Sequence, residues 1–198
     1  MEIDDFSKIK EGVKGAYSAV ATEPDGKHPF PVGRLFALSL GYPEELLDDV
    51  PSLAVESFTG VSNVSVFAGI KEGDRVCDVG CGVGLDAFIA ARRAGANGKV
   101  TGVDFSAQMI EKAQRAKAQG GSKNTDFIVA EAEKIPLSDN SASVVLANGI
   151  FNLNPVRDVI FKEILRILKP GGMVFGAELV LTTAPVDPLT CSLNNWFA

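Results

Sequence analysis

The residues best suited to chemistry stand in the run Val76-Cys77-Asp78-Val79-Gly80-Cys81-Gly82-Val83-Gly84. Glycines at 80, 82 and 84, between a β-branched stretch and an alanine-rich one, read as a strand-to-helix turn. The backbone of such a turn passes close to a ligand, because side chains would block that approach. About 20 residues further on, Asp104 closes a second strand, where a carboxylate accepts from both ribose hydroxyls of an adenosine. Loop and acid together point to an adenosine compound. A turn that serves packing alone is the competing reading.

The charge beside the loop narrows the ligand. A dinucleotide calls for G-x-G-x-x-G spacing and places a pyrophosphate at the helix N-terminus. Here Leu85 follows the third glycine, and Asp78, two positions before the first, would repel a pyrophosphate while attracting an ammonium group. S-adenosylmethionine is therefore favoured over a nicotinamide dinucleotide. Cys81 reads as a small residue tolerated in the loop rather than a reactive thiol, although a helix N-terminus does lower a thiol pKa.

Alternating strands and helices must position these residues. Arg75 to Val79 and Lys99 to Val103 read as strands around a helix from Leu85 to Ala94, which makes one βαβ unit. Ser106 reads as the N-cap of a helix ending at Gly120-Gly121. Thr125 to Ala130 and Ser143 to Ala147 are further strands, and Asp158 to Leu168 is an amphipathic helix. Pro170-Gly171-Gly172 should end that helix before a fifth strand, Met173 to Leu179. The fold class is α/β, a mostly parallel sheet with helices on both faces, since right-handed crossovers put them there. Ahead of it, Phe6, Ile9, Val13 and Tyr17 recur at helical spacing, Pro31 to Gly41 reads as a second helix, and Glu44 to Asp49 and Ser52 to Phe58 as short helical pieces. The expected division is an N-terminal helical cap or lid over residues 1–70 and a cofactor-binding domain over residues 71–198.

Bulk properties exclude several classes. A formal net charge of −6 without a basic block removes the footprint of nucleic-acid or anionic-membrane binding. No apolar run reaches the roughly 18 to 20 residues of a membrane span, and the acidic start is not a signal peptide. Cys77, Cys81 and Cys191 form neither a disulfide framework nor a zinc spacing, which suits a reducing cytoplasm.

Several motifs in order resemble the class I S-adenosylmethionine-dependent methyltransferases over about Lys71 to Leu181. They are the glycine run, Val103-Asp104-Phe105-Ser106, and Leu168-Lys169-Pro170-Gly171-Gly172. The resemblance implies that Asp78 and the backbone of Gly80, Cys81, Gly82 and Gly84 hold the methionine part, and that Asp104 holds the ribose. It further implies that Phe105 and Met109 flank the adenine, that Glu131 accepts from its amino group beside the Ala132 backbone, and that Asn148 lines the methionine end. Ordinary packing for Phe105 and Met109, and a solvated loop for Glu131 and Glu133, are the alternatives. Pro31-Val32-Gly33-Arg34, Leu40-Gly41-Tyr42-Pro43, Leu53 to Phe58 and Asn148 to Leu153 are similar to the arsenite methyltransferase-related branch. That branch binds trivalent arsenic through cysteine thiolates, which the segments near Gly60 to Asn63 and Asn148 to Phe151 lack; only Cys191 remains. Soft thiolates are what a thiophilic metalloid requires, so a different small-molecule acceptor is expected.

Methyl transfer from a sulfonium needs positioning more than a dedicated base. His28, the only histidine, falls in a loop, and Tyr17 reads as a packed residue; no catalytic residue is assigned and no metal site is expected. The chain ends soon after the fifth strand, before the last strands usual in this family's sheet. Either the sequence is a piece of a longer chain, or a homodimer or partner chain covers the C-terminal sheet edge, with Trp196 and Phe197 against it or folded back locally. The expected activity is methyl transfer to a small molecule. The alternatives are a non-catalytic S-adenosylmethionine-binding module or subunit of a larger assembly and, last, a nucleotide-dependent oxidoreductase.

Overall fold

The chain's structure, a computed structural model, describes residues 3–120, 122–154 and 156–180, with side chains from Lys10 onward. Cys191, Trp196 and Phe197, and with them the expected partner contact at the chain's end, lie outside the described residues. No helix among those described is long and apolar enough to cross a membrane.

Helix α1 (Ile3–Thr22) carries the expected apolar stripe, with Val13, Val20 and Ala21 buried. It stops where the Thr22 hydroxyl turns back on the Ala19 carbonyl at 3.0 Å, just before Pro24. Helix α2 (Arg34–Ser39) is shorter than the expected Pro31 to Gly41. Gly33 sits at φ +90°, outside helical geometry, and donates its N–H to the Phe58 carbonyl at 2.9 Å, so the helix starts only at Arg34. Helices α3 (Glu44–Asp48) and α4 (Ser52–Glu56) follow, and α5 (Val64–Phe67) is a further turn that the sequence pattern did not indicate.

The regular half contains β1 (Arg75–Val79), α6 (Leu85–Ala94), β2 (Lys99–Asp104), α7 (Ala107–Gly120), β3 (Thr125–Val129), β4 (Ala142–Asn148), α8 (Arg157–Ile167) and β5 (Leu168–Ala177). The sheet runs β3-β2-β1-β4-β5 with every pairing parallel. One expectation is corrected at its edge. Pro170-Gly171-Gly172 does not separate helix from strand: α8 ends at Ile167, and Leu168 already pairs with Ala142. Leu168 is drawn into the core beside Ile164 and Ile167, so the strand starts early. The pairing then jumps to Val144 with Met173, and the Pro-Gly-Gly segment, with Gly171 at φ +79°, is absorbed as an irregularity inside β5.

Strand alternation sends side chains into two cores. Val76, Val144 and Leu146 face α6 and α7, whereas Cys77, Val79 and Val145 face α8 through Ile160, Ile164 and Ile167. The N-terminal helices join the first of these clusters through Val20, Tyr42, Leu47, Val55, Phe58 and Val64. The progression of strands reverses between β1 and β4, and the C-terminal ends of strands at such a point flank the crevice where open α/β sheets bind ligands.

Candidate functional site

The loop that leaves β1 is held by the neighbouring strand. Gly80 and Cys81 donate their N–H groups to the Val103 carbonyl at 2.8 and 3.0 Å, and Gly84 then opens α6 by accepting from Phe88 at 2.8 Å. Gly82 and Gly84 both have positive φ, at +54° and +93°, but for different reasons. A Cβ on Gly84 would lie 2.6 Å from the Phe127 ring, whereas one on Gly82 meets nothing within 4 Å. Gly84 is needed for packing, and Gly82 leaves room beside the backbone.

Asp104 ends β2 next to this loop. Its Oδ1 accepts the Ser106 N–H and its Oδ2 the Gly82 N–H, each at 2.9 Å. Each oxygen keeps a lone pair for a ligand. Burial pushes the Asp104 carboxyl up to about 6, against the pull of those two backbone donors. Asp78, only 2% exposed, is pushed in the same direction by burial and by its neighbours Asp86 and Asp104. Cys81 is buried as well, which pushes its thiol well above the ordinary range and leaves it unreactive.

Asp78, Gly80, Cys81, Gly82, Gly84, Asp104, Phe105, Glu131, Ala132 and Asn148 all line one cleft of about 1040 Å³, counted out to its open mouth. Met109 does not. At 1% exposure it points from the inner face of α7 into the core with Ile110 and Ala113, and it meets the site only through its N–H, which the Ser106 hydroxyl caps at 3.3 Å. The expected place of Met109 beside an adenine is thus occupied by packing. Asn148 lines the cleft, but its amide is engaged: Oδ1 accepts from Val61 and Ser62 N–H at 2.8 and 3.1 Å, while Nδ2 donates to the Ser62 carbonyl and to Asp86 Oδ2 at 2.7 and 2.8 Å. Asp86 also accepts from the Tyr42 hydroxyl at 2.7 Å and from Ser65. This buried network ties the segment before β1 to the end of β4.

The remaining wall comes from residues not named as candidate site residues in the sequence. Lys10, Val13 and Tyr17 present one face of α1 to the cleft. Their spacing of three and four is the helical signal that would have grouped them. Tyr17 stacks on Phe30 with ring centroids 4.8 Å apart, and burial raises its hydroxyl pKa. Lys10 pairs with Glu131 at 2.8 Å and Glu133 at 3.0 Å. Ser57, Phe58 and Thr59 complete that side, and Ile150, Leu153 and Asn154 come from the segment after β4. His28 lies away from the cleft, against the Glu23 carbonyl at 2.8 Å.

Among the described residues, the buried side-chain oxygens without a hydrogen-bond partner are Ser57 Oγ, Asp78 Oδ2 and Glu133 Oε2. All three line this cleft. Leaving a buried polar atom unpaired costs free energy, so their concentration in one place fits a ligand that brings its own polar groups. The charges fit a cation: Asp78, Asp86, Asp104, Glu131 and Glu133 face the cleft, and among the described residues Lys10 is the lone basic one in its wall. No group of acids, cysteines or histidines among the described residues could hold a metal ion.

Comparison with known proteins agrees in kind. A family model described as a methyltransferase domain matches residues 70–195. The arsenite methyltransferase of Halobacterium salinarum is 37% identical over 137 residues, covering 68% of this chain and 35% of that protein. The demethylmenaquinone methyltransferase of Staphylococcus aureus is 37% identical over 120 residues, covering 60% of this chain and 48% of the other. The chain thus spans between about a third and a half of the length of these curated relatives. Among solved structures, an arsenic(III) S-adenosylmethionine methyltransferase from Chlamydomonas reinhardtii superposes with a TM-score of 0.57 at 34% identity, over 76% of this chain and 49% of that one. A methyltransferase from Aquifex aeolicus shares the fold, with a TM-score of 0.54 at 24% identity over 78% and 79% of the two chains.

Proposed function

The chain belongs to the class I S-adenosylmethionine-dependent methyltransferases, and from that premise we propose that it transfers the methyl group of S-adenosylmethionine to a small, largely apolar acceptor in the cleft above β1 and β4. The observation that carries this reading is the set of unpartnered buried oxygens around an acidic, glycine-floored cleft. Asp78 Oδ2 is available to a methionine ammonium, and the free lone pairs of Asp104 to ribose hydroxyls. The loop at Gly82 admits the cofactor backbone without a steric neighbour. When bound, the cofactor supplies an electrophilic methyl group on a sulfonium.

The residues of the chain orient and enclose. Phe105, Ala132 and Ile150 offer apolar surface along the cleft, and Val13, Tyr17, Phe58 and Leu153 offer more on the walls from α1, the segment after α4 and the segment after β4. Excluding water there favours transfer by proximity and orientation. The acceptor class follows from charge. With Lys10 committed to two acids, the wall has no free cation among the described residues for a phosphate or carboxylate, which favours an uncharged or cationic nucleophile. Arsenite is disfavoured, since Cys77 and Cys81 are buried thiols with raised pKa values and supply no thiolate pair. The N-terminal helices, in the same reading, act as the lid.

Calorimetry with S-adenosylhomocysteine, followed by a labelled-methyl assay across neutral, amine, phosphorylated and arsenite acceptors, tests both levels. Absence of cofactor binding would sink the reading. Binding without turnover on any acceptor would leave a non-catalytic module, and transfer to arsenite would overturn the acceptor class.

A further inference from the structure

Lys10 stands on α1, outside every motif, yet its ammonium spans two acids that follow β3. Nζ lies 2.8 Å from Glu131 Oε2 and 3.0 Å from Glu133 Oε1. The same Glu133 oxygen accepts from Asn154 Nδ2 at 3.1 Å, so three segments meet on it. This allocation leaves Glu133 Oε2 buried, without a partner, in the wall of the cleft. Burial pushes the Glu133 carboxyl up, and the bonds from Asn154 and Lys10 more than offset it, holding the group below its ordinary range. An ionised oxygen shielded from water and lacking a donor is costly unless a ligand brings one. Of the two acids, Glu133 is the better shielded, with its side chain 17% exposed against 46% for Glu131.

We propose that Lys10 is a positioning residue: by holding Glu131 Oε2 and Glu133 Oε1, it fixes both carboxylates and leaves Glu133 Oε2 turned into the cleft as an acceptor for the exocyclic amino group of the cofactor's adenine. The assignment rests on the reading of this cleft as the S-adenosylmethionine site. It adds a second acid to the one the sequence motif supplies, and a cation from a helix that the motif does not contain. Without Lys10 the two neighbouring carboxylates would repel each other, and one would be driven to hold a proton or to swing toward solvent. Either change withdraws the acceptor from the cleft. Lys10 is itself 40% exposed, so its replacement removes no core contact.

The test compares binding of S-adenosylhomocysteine with that of S-inosylhomocysteine, in which an oxo group replaces the adenine amino group. The wild-type chain should favour the amino ligand by roughly tenfold or more, the scale of a charge-assisted hydrogen bond. Lys10→Met should lose most of that preference, and Lys10→Arg should restore it, since a guanidinium also spans two carboxylates. Glu133→Ala should lose the preference as fully as Lys10→Met. An unchanged preference in Lys10→Met, with S-adenosylhomocysteine still bound, would overturn this assignment alone. Failure of the wild-type chain to bind S-adenosylhomocysteine would overturn the cofactor reading and this assignment with it.

Discussion

Asp104 Oδ2 accepts the Gly82 N–H at 2.9 Å, so the end of β2 and the middle of the glycine loop form one piece of cradle. Replacing Asp104 by Ala removes both an acceptor for the ribose and the anchor of the loop. The affinity for S-adenosylhomocysteine should fall by about 1.5–3 kcal/mol, the worth of hydrogen bonds to a charged group. The carboxyl also sets a pH dependence. With its folded value pushed up to about 6, above its ordinary 3.8, it favours the folded state below the unfolded value and loses that contribution as pH rises through 6. Ligand hydroxyls favour the ionised form, so cofactor should bind more tightly at pH 7.5 than at pH 5 while this group's stability contribution runs the other way. Calorimetry and thermal melts at the two pH values check both slopes, and Asp104→Asn should flatten them.

Asp78 gives a prediction of opposite signs. Its Oδ2 is buried and unpartnered, and burial together with Asp86 and Asp104 opposes its ionisation. Asp78→Asn removes that charge at nearly constant volume. The cofactor-free protein should melt at a higher temperature above neutral pH, where the raised pKa costs most stability, and should bind S-adenosylhomocysteine more weakly. A lower melting temperature with unchanged affinity would make Asp78 a structural acid instead.

Gly82 and Gly84 should respond differently to alanine. Gly82→Ala meets open space, so the fold should lose only the left-handed strain of about 1–2 kcal/mol, while the new methyl group narrows the cleft and weakens cofactor binding. In Gly84→Ala the new Cβ collides with Phe127, which packs on Phe88 at a centroid distance of 5.3 Å. Its loss should appear first as a lower denaturation midpoint. Chemical denaturation and ligand titration of the two variants separate the effects.

Asn148 is expected to act through the fold. Asn148→Ala strands the Val61 and Ser62 N–H groups and one oxygen of Asp86, and should destabilise the protein by roughly 3 kcal/mol, the upper end for a buried unsatisfied group. Asn148→Asp retains an acceptor for the two N–H groups but places a second carboxylate on Asp86, and it should be rescued toward acid pH, where one of the pair holds a proton. Urea midpoints at pH 5 and 8 decide.

The regular half was legible in the sequence because hydrophobic period and glycine punctuation agree there: β1 and α6 fall where Arg75 to Val79 and Leu85 to Ala94 placed them. The Pro-Gly-Gly turn misled because punctuation is local, whereas Leu168 obeys a tertiary demand for burial. Met109 was misplaced for a related reason, since spacing alone does not tell the cleft side of α7 from its core side. Lys10 escaped because its partners lie far along the chain, and for Asn148, which does line the cleft, the sequence carries no mark of the network that also engages its amide.

The sharing of one hydrophobic cluster by the N-terminal helices and the sheet bears on how this protein can be cut. The family model's match begins at residue 70, and a recombinant fragment started there would follow the edge of that match. It would also strip Tyr42, Leu47, Phe58 and Val64 from contact with Phe88, Ile89 and Leu146, leaving an oily face of the sheet layer bare to solvent. The edge of the family match and the unit of folding differ here. A soluble fragment has to carry the helices that the family signature omits.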